Sequence, residues 1–260
     1  MKHNELTDNQ KYRILYKELL RSCSYITERN NRMLIKQAFI EVLRHFGNAT
    51  NTQGEFKLAH AVAVARITAD DLGLDTNSII SALLQQMPVT TPQQSEALKK
   101  RFGADTFNII RDLQLISGIR MDKISIMPEN FIQLLLSISG DIRVLLIKLA
   151  DRINLMRNIG LLSVADQKQV STETHNLYSP LAHRLGLYKV KAELDDLAMQ
   201  HTMPEVYNSI KKKIEDTAKE QKKYFEEFIV PIRKSLQAAG MQFEIKARTK
   251  AIPSIYSKMK

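Results

Sequence analysis

Two ionisable side chains fall in segments that should be buried, and both are of types that can bind a metal ion. Asp151 follows residues 147–150 in a stretch whose apolar side chains cover most faces of a helix. A carboxylate there must be paired, hydrogen-bonded or metal-bound, because desolvating an isolated charge is prohibitive. His60 begins the small apolar run 60–65. A single histidine on such a face is more often a hydrogen-bonded core residue than a ligand, so both interpretations stay open on this evidence.

The elements that must position these residues are helices. In 141–158 apolar residues recur at helical spacing, and Asp141 after Gly140 is a candidate N-cap. Glycine (9) and proline (7) are sparse, which favours helices over turn-rich β architecture. The predicted fold class is all-α. Further helices are expected over roughly 8–22, 31–46, 57–73, 75–86, 93–102, 104–116, 128–138, 163–184, 187–201 and 204–239.

The pattern changes near the C-terminus. Pro231 should kink the last long helix, and Gly240 should stop it. Residues 241–247 then alternate apolar and polar side chains, which predicts a strand. Because a lone strand cannot pair with itself, we expect this strand to open a sheet that continues beyond the given sequence.

Composition narrows the class of protein. A single cysteine, Cys23, excludes an internal disulfide framework and fits a reducing, cytoplasmic setting with the thiol as a small buried group. No apolar run approaches the roughly 18 residues of a membrane span, and the N-terminus is not a signal peptide. The formal net charge is +10, with 13 basic against 6 acidic residues in 211–260. That excess suits either a polyanionic partner or a solvated helix face.

Several blocks of sequence resemble bacterial enzymes of the RelA/SpoT family. Residues 60–65, 81–86 and 141–152 are similar to the family's (p)ppGpp-hydrolysing His-Asp (HD) domain, and 178–188 with 193–197 resemble its helical connector. Residues 248–250 and 254–260 resemble the opening of its (p)ppGpp synthetase domain. The resemblance implies an HD-type helical bundle over 1–162, a connector over 163–240 and the start of a truncated α/β synthetase domain over 241–260.

The same resemblance indicates a damaged metal site. The family's hydrolase holds a divalent ion, usually manganese, with a His…His-Asp…Asp set, and the ion activates water against the 3′-pyrophosphate. The first His matches His60 and the last Asp matches Asp151, but the central pair falls on Gln85 and Gln86. Neutral amides lack the donor strength of imidazole and the charge of carboxylate. We therefore expect no metal in this chain and a hydrogen bond, direct or through water, between His60 and Asp151.

Other parts of the implied reaction are missing as well. The family's Glu-Asp pair, which handles water and protons, falls on Val89 and Thr90, neither of which is a base near neutral pH. A family Asn falls on Leu155, and an Arg before the first His falls on Asn51. The predicted set of catalytic residues is therefore empty.

The C-terminal block resembles the place where the family's synthetase contacts ATP. Arg248, Lys250, Ser254 and Lys258 match those positions. The acidic residues that bind Mg²⁺ and the GTP-binding residues come later in the family, so this chain should be too short for pyrophosphate transfer. The alternative is that these four residues form a solvated tail.

Four functions are compatible with the sequence. The first is an inactive, regulatory hydrolase-like domain of a synthesis-only GTP pyrophosphokinase of the stringent response, with its own synthetase domain as partner in cis and ribosome contacts only in an absent C-terminal half. The second is a metal-dependent hydrolase in which Gln85 or Gln86 is a weak ligand. The third is a module that binds a guanine nucleotide. The fourth, RNA binding through 211–260, rests on charge alone.

Overall fold

The computed structural model describes residues 8–47, 49–50, 56–118, 128–245 and 250–259, and the regular structure in these ranges is helical. One isolated bridge joins Thr50 to Phe56. The α-helices are α1 (Asp8–Ser22), α2 (Arg29–Phe46), α3 (Lys57–Asp70), α4 (Thr76–Leu84), α5 (Pro92–Ser117), α6 (Pro128–Ile138), α7 (Ile142–Arg157), α8 (Val164–Glu173), α9 (Ser179–Arg184), α10 (Tyr188–Thr202), α11 (Pro204–Ala238) and α12 (Ile252–Met259).

The helices predicted from periodicity are confirmed to within a few residues at their ends. Two helices were expected on either side of residue 103, and α5 is indeed broken there, since Gly103 has φ 88° and ψ 159°. A positive φ is strained for a side chain with a Cβ, so glycine fits this break. The single helix expected over 163–184 contains α8 and α9, joined by a π-helical turn at Thr174–Tyr178.

The core lies around α3, α4 and α7. Helix α3 packs against α1, α2, α4 and α7, and α7 also packs against α5 and α10. Because α3 and α4 are apolar on nearly every side, they can occupy this central position. Cys23 is 1% exposed at the edge of this core, and burial raises the pKa of its thiol to about 11, which agrees with the predicted structural role.

One arginine links the N-terminal ends of α4 and α7 to α5 through ion pairs. Asp75 caps α4 by accepting a hydrogen bond from the Ser78 N–H, and the predicted cap Asp141 accepts one from the Arg143 N–H, each at 2.9 Å. The Arg143 guanidinium then lies 2.7 Å from Asp141, 2.7 Å from Asp105 and 3.1 Å from Asp75. Its hydrogen bonds hold the pKa of both Asp105 and Asp141 below the usual value. The α4–α5–α7 corner is therefore tied together by charge.

The helices of the predicted connector pack onto the same core. Leu194 and Ala198 of α10 belong to the hydrophobic cluster that includes Leu149 of α7, so α10 is packed directly on the HD-like helices. The first half of α11 makes a second cluster with α10 and α12, centred on Tyr207 and Ile210. The domain boundaries at 162 and 240 stay predictions.

Helix α11 ends where the sequence predicts, but the strand expected after it is not seen. The helix continues through Pro231 and stops before Gly240, whose φ is 67°. Residues 241–245 have no regular secondary structure, and 246–249 lie outside the described part of the chain. The predicted strand is therefore not shown for 241–245, and no described segment pairs with these residues. Among the described helices, none combines the length and apolar character that a membrane span needs.

Candidate functional site

The packing of α3 on α7 brings His60 and Asp151 into direct contact. His60 lies in the first turn of α3, and its Nε2 is 2.9 Å from Asp151 Oδ1 in the middle of α7. The histidine is 8% exposed, and the Asp151 side chain is 29% exposed. The hydrogen bond predicted between the two residues is confirmed, and it is direct.

Two asparagines fix the other side of the imidazole. The Asn154 amide is 3.0 Å from His60 Nδ1, and Asn158 Nδ2 donates to Asn154 Oδ1 at 3.1 Å. With its oxygen accepting from Asn158, Asn154 presents its NH₂ to the ring, so Nδ1 accepts. The proton of the neutral imidazole is then on Nε2, where it is donated to Asp151.

Lys148 supplies the charge that balances Asp151. Its Nζ is 3.4 Å from Asp151 Oδ2 and 3.2 Å from Ser117 Oγ at the end of α5, and its side chain is only 13% exposed. Burial alone would raise the pKa of Asp151, but the Lys148 ammonium and the hydrogen bond with His60 outweigh it and hold that pKa well below the usual range. Both carboxylate oxygens therefore have a protein partner.

The two glutamines at the positions of the family's central His-Asp pair lie just beyond the C-terminus of α4. Gln85 is buried, and its Nε2 has no hydrogen-bond partner among the described residues, whereas Gln86 is exposed. The backbone of this turn is held by Gln114, whose Nε2 donates to the Met87 carbonyl at 2.6 Å. Neither side chain brings a negative charge to the site.

The two residues at the positions of the family's acidic pair take part in local packing and hydrogen bonding. Val89 is half-buried against the core, and Thr90 donates its N–H to Gln94 Oε1 at 2.9 Å. That glutamine also forms the capping box of α5 with Thr91. Leu155 lines a crevice with Leu161 and other residues, and Asn51 lies outside the described residues. Neither Val89 nor Thr90 has a side chain that acts as a base near neutral pH.

These donors do not fit a resident manganese ion. The described part of the chain contains no group of three or more His, Cys, Asp or Glu side chains that could hold a metal ion. Of the four positions that match the family's ligand set, His60 and Asp151 keep a ligand side chain, and these two are hydrogen-bonded to each other. Manganese prefers several oxygen and imidazole ligands, and charge on the ligands offsets its own.

The residues that resemble an ATP site are only partly described. Arg248 lies outside the described residues. Ser254 and Lys258 are exposed one turn apart on α12, and Lys250 precedes that helix. The pKa of Lys250 is lowered by local desolvation and by the charge of Lys258.

Sequence reasoning missed two partners in the site. Lys148 is three residues before Asp151, a spacing that places both on one helix face, so its role could have been inferred. Asn154 contacts His60 across 94 residues of sequence, and only the packing of α3 on α7 reveals this.

Comparison with known proteins identifies the class to which this bundle and site belong. A family model described as HD domain matches residues 38–188. The bifunctional (p)ppGpp synthase/hydrolase SpoT of Escherichia coli K12 is 32% identical over 226 residues, which are 86% of this chain and 32% of that protein. The chain belongs to the HD-domain family, within its RelA/SpoT group.

Other relatives are similar to the same extent. The guanosine-3′,5′-bis(diphosphate) 3′-pyrophosphohydrolase of Aquifex aeolicus is 32% identical over 225 residues, covering 86% of this chain and 32% of the relative. A GTP pyrophosphokinase of Myxococcus xanthus is 32% identical over 231 residues, covering 87% and 30%. The chain spans about a third of the length of the curated relatives it matches.

Proposed function

We propose that this chain is a catalytically inactive HD domain with its connector, and that it regulates a GTP pyrophosphokinase of the RelA/SpoT type in the cytoplasmic stringent response. The observation that carries the proposal is the direct contact of His60 with Asp151, with Lys148 on the other carboxylate oxygen. A side-chain network occupies the donor atoms that a hydrolase would offer to its metal. The fold is retained, and the means of activating water is lost.

Hydrolysis needs two things that this site lacks. A divalent ion lowers the pKa of bound water toward neutrality, and a general base accepts the proton. Amides at Gln85 and Gln86 and the side chains of Val89 and Thr90 supply neither. The alternative of a hydrolase with an altered ligand set therefore has no third charged ligand to draw on among the described residues.

A regulatory role is supported by how the site is packed. Helix α7, which contains Asp151, packs on α10, and α10 packs on α11 and α12. A change at α7 can thus be passed to the segment that resembles the start of the synthetase domain. In the parent protein, the partner would be that domain in cis, with Arg248, Lys250, Ser254 and Lys258 near ATP and Mg²⁺. Contacts with the ribosome would belong to a further C-terminal part.

A second candidate function is the binding of a guanine nucleotide as an effector. The observation that favours it is Gln85 Nε2, a buried donor without an acceptor among the described residues. Leaving such a donor unsatisfied costs about 1–3 kcal/mol, which a bound acceptor would recover. Calorimetry of the purified chain with ppGpp, GDP and GTP tests this, and the absence of heat at millimolar nucleotide would reject it.

The main experiment is an assay of alarmone hydrolysis. We expect the purified chain, supplied with Mn²⁺ and ppGpp, to release no pyrophosphate above a no-protein blank. The SpoT protein of Escherichia coli, assayed in parallel, confirms that the conditions support hydrolysis. Turnover by this chain within about tenfold of that reference would show a working site and end the proposal.

A further inference from the structure

The predicted connector contains a π-helical turn, Thr174–Tyr178, between α8 and α9. The Ser179 N–H donates to the carbonyl of Thr174, five residues earlier, instead of the four-residue spacing of an α-helix. Turns of this kind are rare in proteins and frequent at functional sites. This one packs against α6, α7, α8, α9 and α10, so it lies where the HD-like helices meet the connector.

The side of the turn that faces α7 is held by buried contacts. The guanidinium of Arg152 in α7 lies 3.9 Å from the centre of the Tyr178 ring and 3.1 Å from the Glu173 carboxylate. Thr174 is fully buried, and its hydroxyl donates to the Val170 carbonyl at 2.7 Å. This side of the turn is therefore anchored by an arginine, whose charge does not change with pH in a protein.

A second side of the turn is held by one carboxylate of α10. Asp195 is 8% exposed, and its Oδ1 lies 3.3 Å from His175 Nδ1 and accepts a hydrogen bond from Ser179 Oγ at 2.5 Å. Its Oδ2 accepts from the Lys191 ammonium. Burial alone would raise the pKa of Asp195, but these three partners lower it to about 2. The carboxylate is therefore ionised at every pH near neutrality.

His175 is the member of this cluster whose charge changes near neutral pH. Its side chain is 63% exposed, so water and protons reach it directly. The hydrogen bond with Asp195 raises the pKa of His175 above its usual value, although burial and the charge of Lys191 oppose the rise. A neutral imidazole can still donate from Nδ1, but only the imidazolium adds an ionic attraction to that contact.

The charged groups that act on His175 come from α10, and they are Asp195 and Lys191. Glu173 of α8 is ion-paired with Arg152 of α7. Helices α6 and α9 contribute an aromatic ring and a hydroxyl group to the contacts of the turn. The charge of one exposed imidazole therefore decides how strongly the turn is attracted to the buried carboxylate of α10.

We propose that the π-helical turn is a pH-sensitive hinge, which protonated His175 closes onto α10 through Asp195 and neutral His175 loosens. A histidine that binds its partner better as the imidazolium stabilises the closed turn below its unfolded-state pKa. That stabilisation is lost as pH rises through the folded-state pKa. Because α10 packs on α7, α11 and α12, the hinge lies between the HD-like helices and α12. The inference does not depend on the proposed loss of hydrolase activity.

Proton NMR titration of the histidine side chains tests the pairing, with H175N used to assign the His175 resonance. In the unaltered chain the pKa of His175 should exceed its value in the urea-unfolded chain, and about 1 M NaCl should reduce the excess. K191M should increase the excess because it removes a repelling ammonium, whereas D195N should abolish it. The control D216N removes an exposed carboxylate of α11 and should change nothing. If D195N does not fold, the K191M result alone decides, since the Lys191 side chain is 37% exposed.

Amide hydrogen exchange tests the hinge itself. After correction for the intrinsic pH dependence of exchange, opening of residues 174–178 should become more favourable between about pH 5.5 and about pH 8.5. The increase should be about tenfold for each pH unit by which the folded-state pKa of His175 exceeds the unfolded-state one. Helix α4 has no ionisable side chain and serves as the internal reference. H175N keeps a neutral donor near the position of Nδ1 and should show no such increase.

Three results would each overturn the proposal. The first is a His175 pKa in the folded chain that equals the value in urea. The second is a K191M variant in which that pKa falls. The third is opening of residues 174–178 that increases with pH as much in H175N as in the unaltered chain.

Discussion

Replacing Gln85 with His and Gln86 with Asp is expected to tighten Mn²⁺ binding by at least about a hundredfold. The two substitutions restore an imidazole and a carboxylate at the positions that match the family's central His-Asp pair, and even residues that only orient metal ligands are worth about 10–100-fold in affinity. The gain is partly offset because the ion must displace the hydrogen bond between His60 and Asp151. Titration calorimetry of the double variant against the unaltered chain measures the difference.

A matched control shows whether the gain belongs to this site. Gln37 and Gln93 are exposed glutamines on α2 and α5, so Q37H with Q93D makes the same chemical change elsewhere. That control should bind Mn²⁺ no better than the unaltered chain. Adding V89E and T90D to the restored pair should then produce measurable release of pyrophosphate from ppGpp. If the restored pair bound Mn²⁺ no better than the control, the turn after α4 would not be the lost metal site.

Substituting Asp151 with Asn is expected to destabilise the fold by about 2 kcal/mol, because it leaves the largely buried Lys148 ammonium without its counter-charge. The amide keeps the shape of the carboxylate and its oxygen can still accept from His60, but its NH₂ then faces the Lys148 ammonium, so the change removes the charge and the hydrogen bond from Lys148 together. Denaturation in urea measures the effect. In a chain that already carries K148M, the same substitution should cost much less, and equal costs in both backgrounds would contradict the assigned pairing.

The same pair predicts how stability depends on pH. Burial acts to raise the pKa of Asp151, but Lys148 and His60 bring it well below its usual value of about 4. A carboxylate whose pKa is lower in the folded state stabilises the fold above its unfolded pKa and loses that contribution as pH falls through the folded one. The difference in stability between the unaltered chain and the Asn variant should therefore shrink as pH falls below about 4. A difference that grows as pH falls below about 4 would contradict this prediction.

The sequence predicts most of this fold because helical periodicity is a local property. The ends of α1, α6 and α10 lie within a residue or two of the predicted ones. The break in α5 falls at Gly103, because glycine tolerates the positive φ found there. The strand expected over 241–247 is not shown, since alternation describes a segment that could pair and residues 241–245 have no pairing partner among the described residues.

The candidate site could be predicted only in part. The cost of burying a polar group singles out Asp151 and His60 one by one. Their pairing is expected because the resemblance matches both to ligands of one metal site, and without the metal Asp151 needs another partner. The contact of Asn154 with His60 and the bond from Asn158 depend on how α3 crosses α7, which local sequence does not determine. Gln85 was singled out by resemblance, but its unpaired buried amide emerges only from the packing around α4.

The measurement that tests the central claim most directly is anomalous X-ray diffraction from crystals of the unaltered chain soaked in Mn²⁺. We predict no anomalous peak within coordinating distance of His60 or Asp151, with the two side chains still hydrogen-bonded to each other. A well-occupied peak bound by both of them together with the side-chain oxygen of Gln85 or Gln86 would contradict the account.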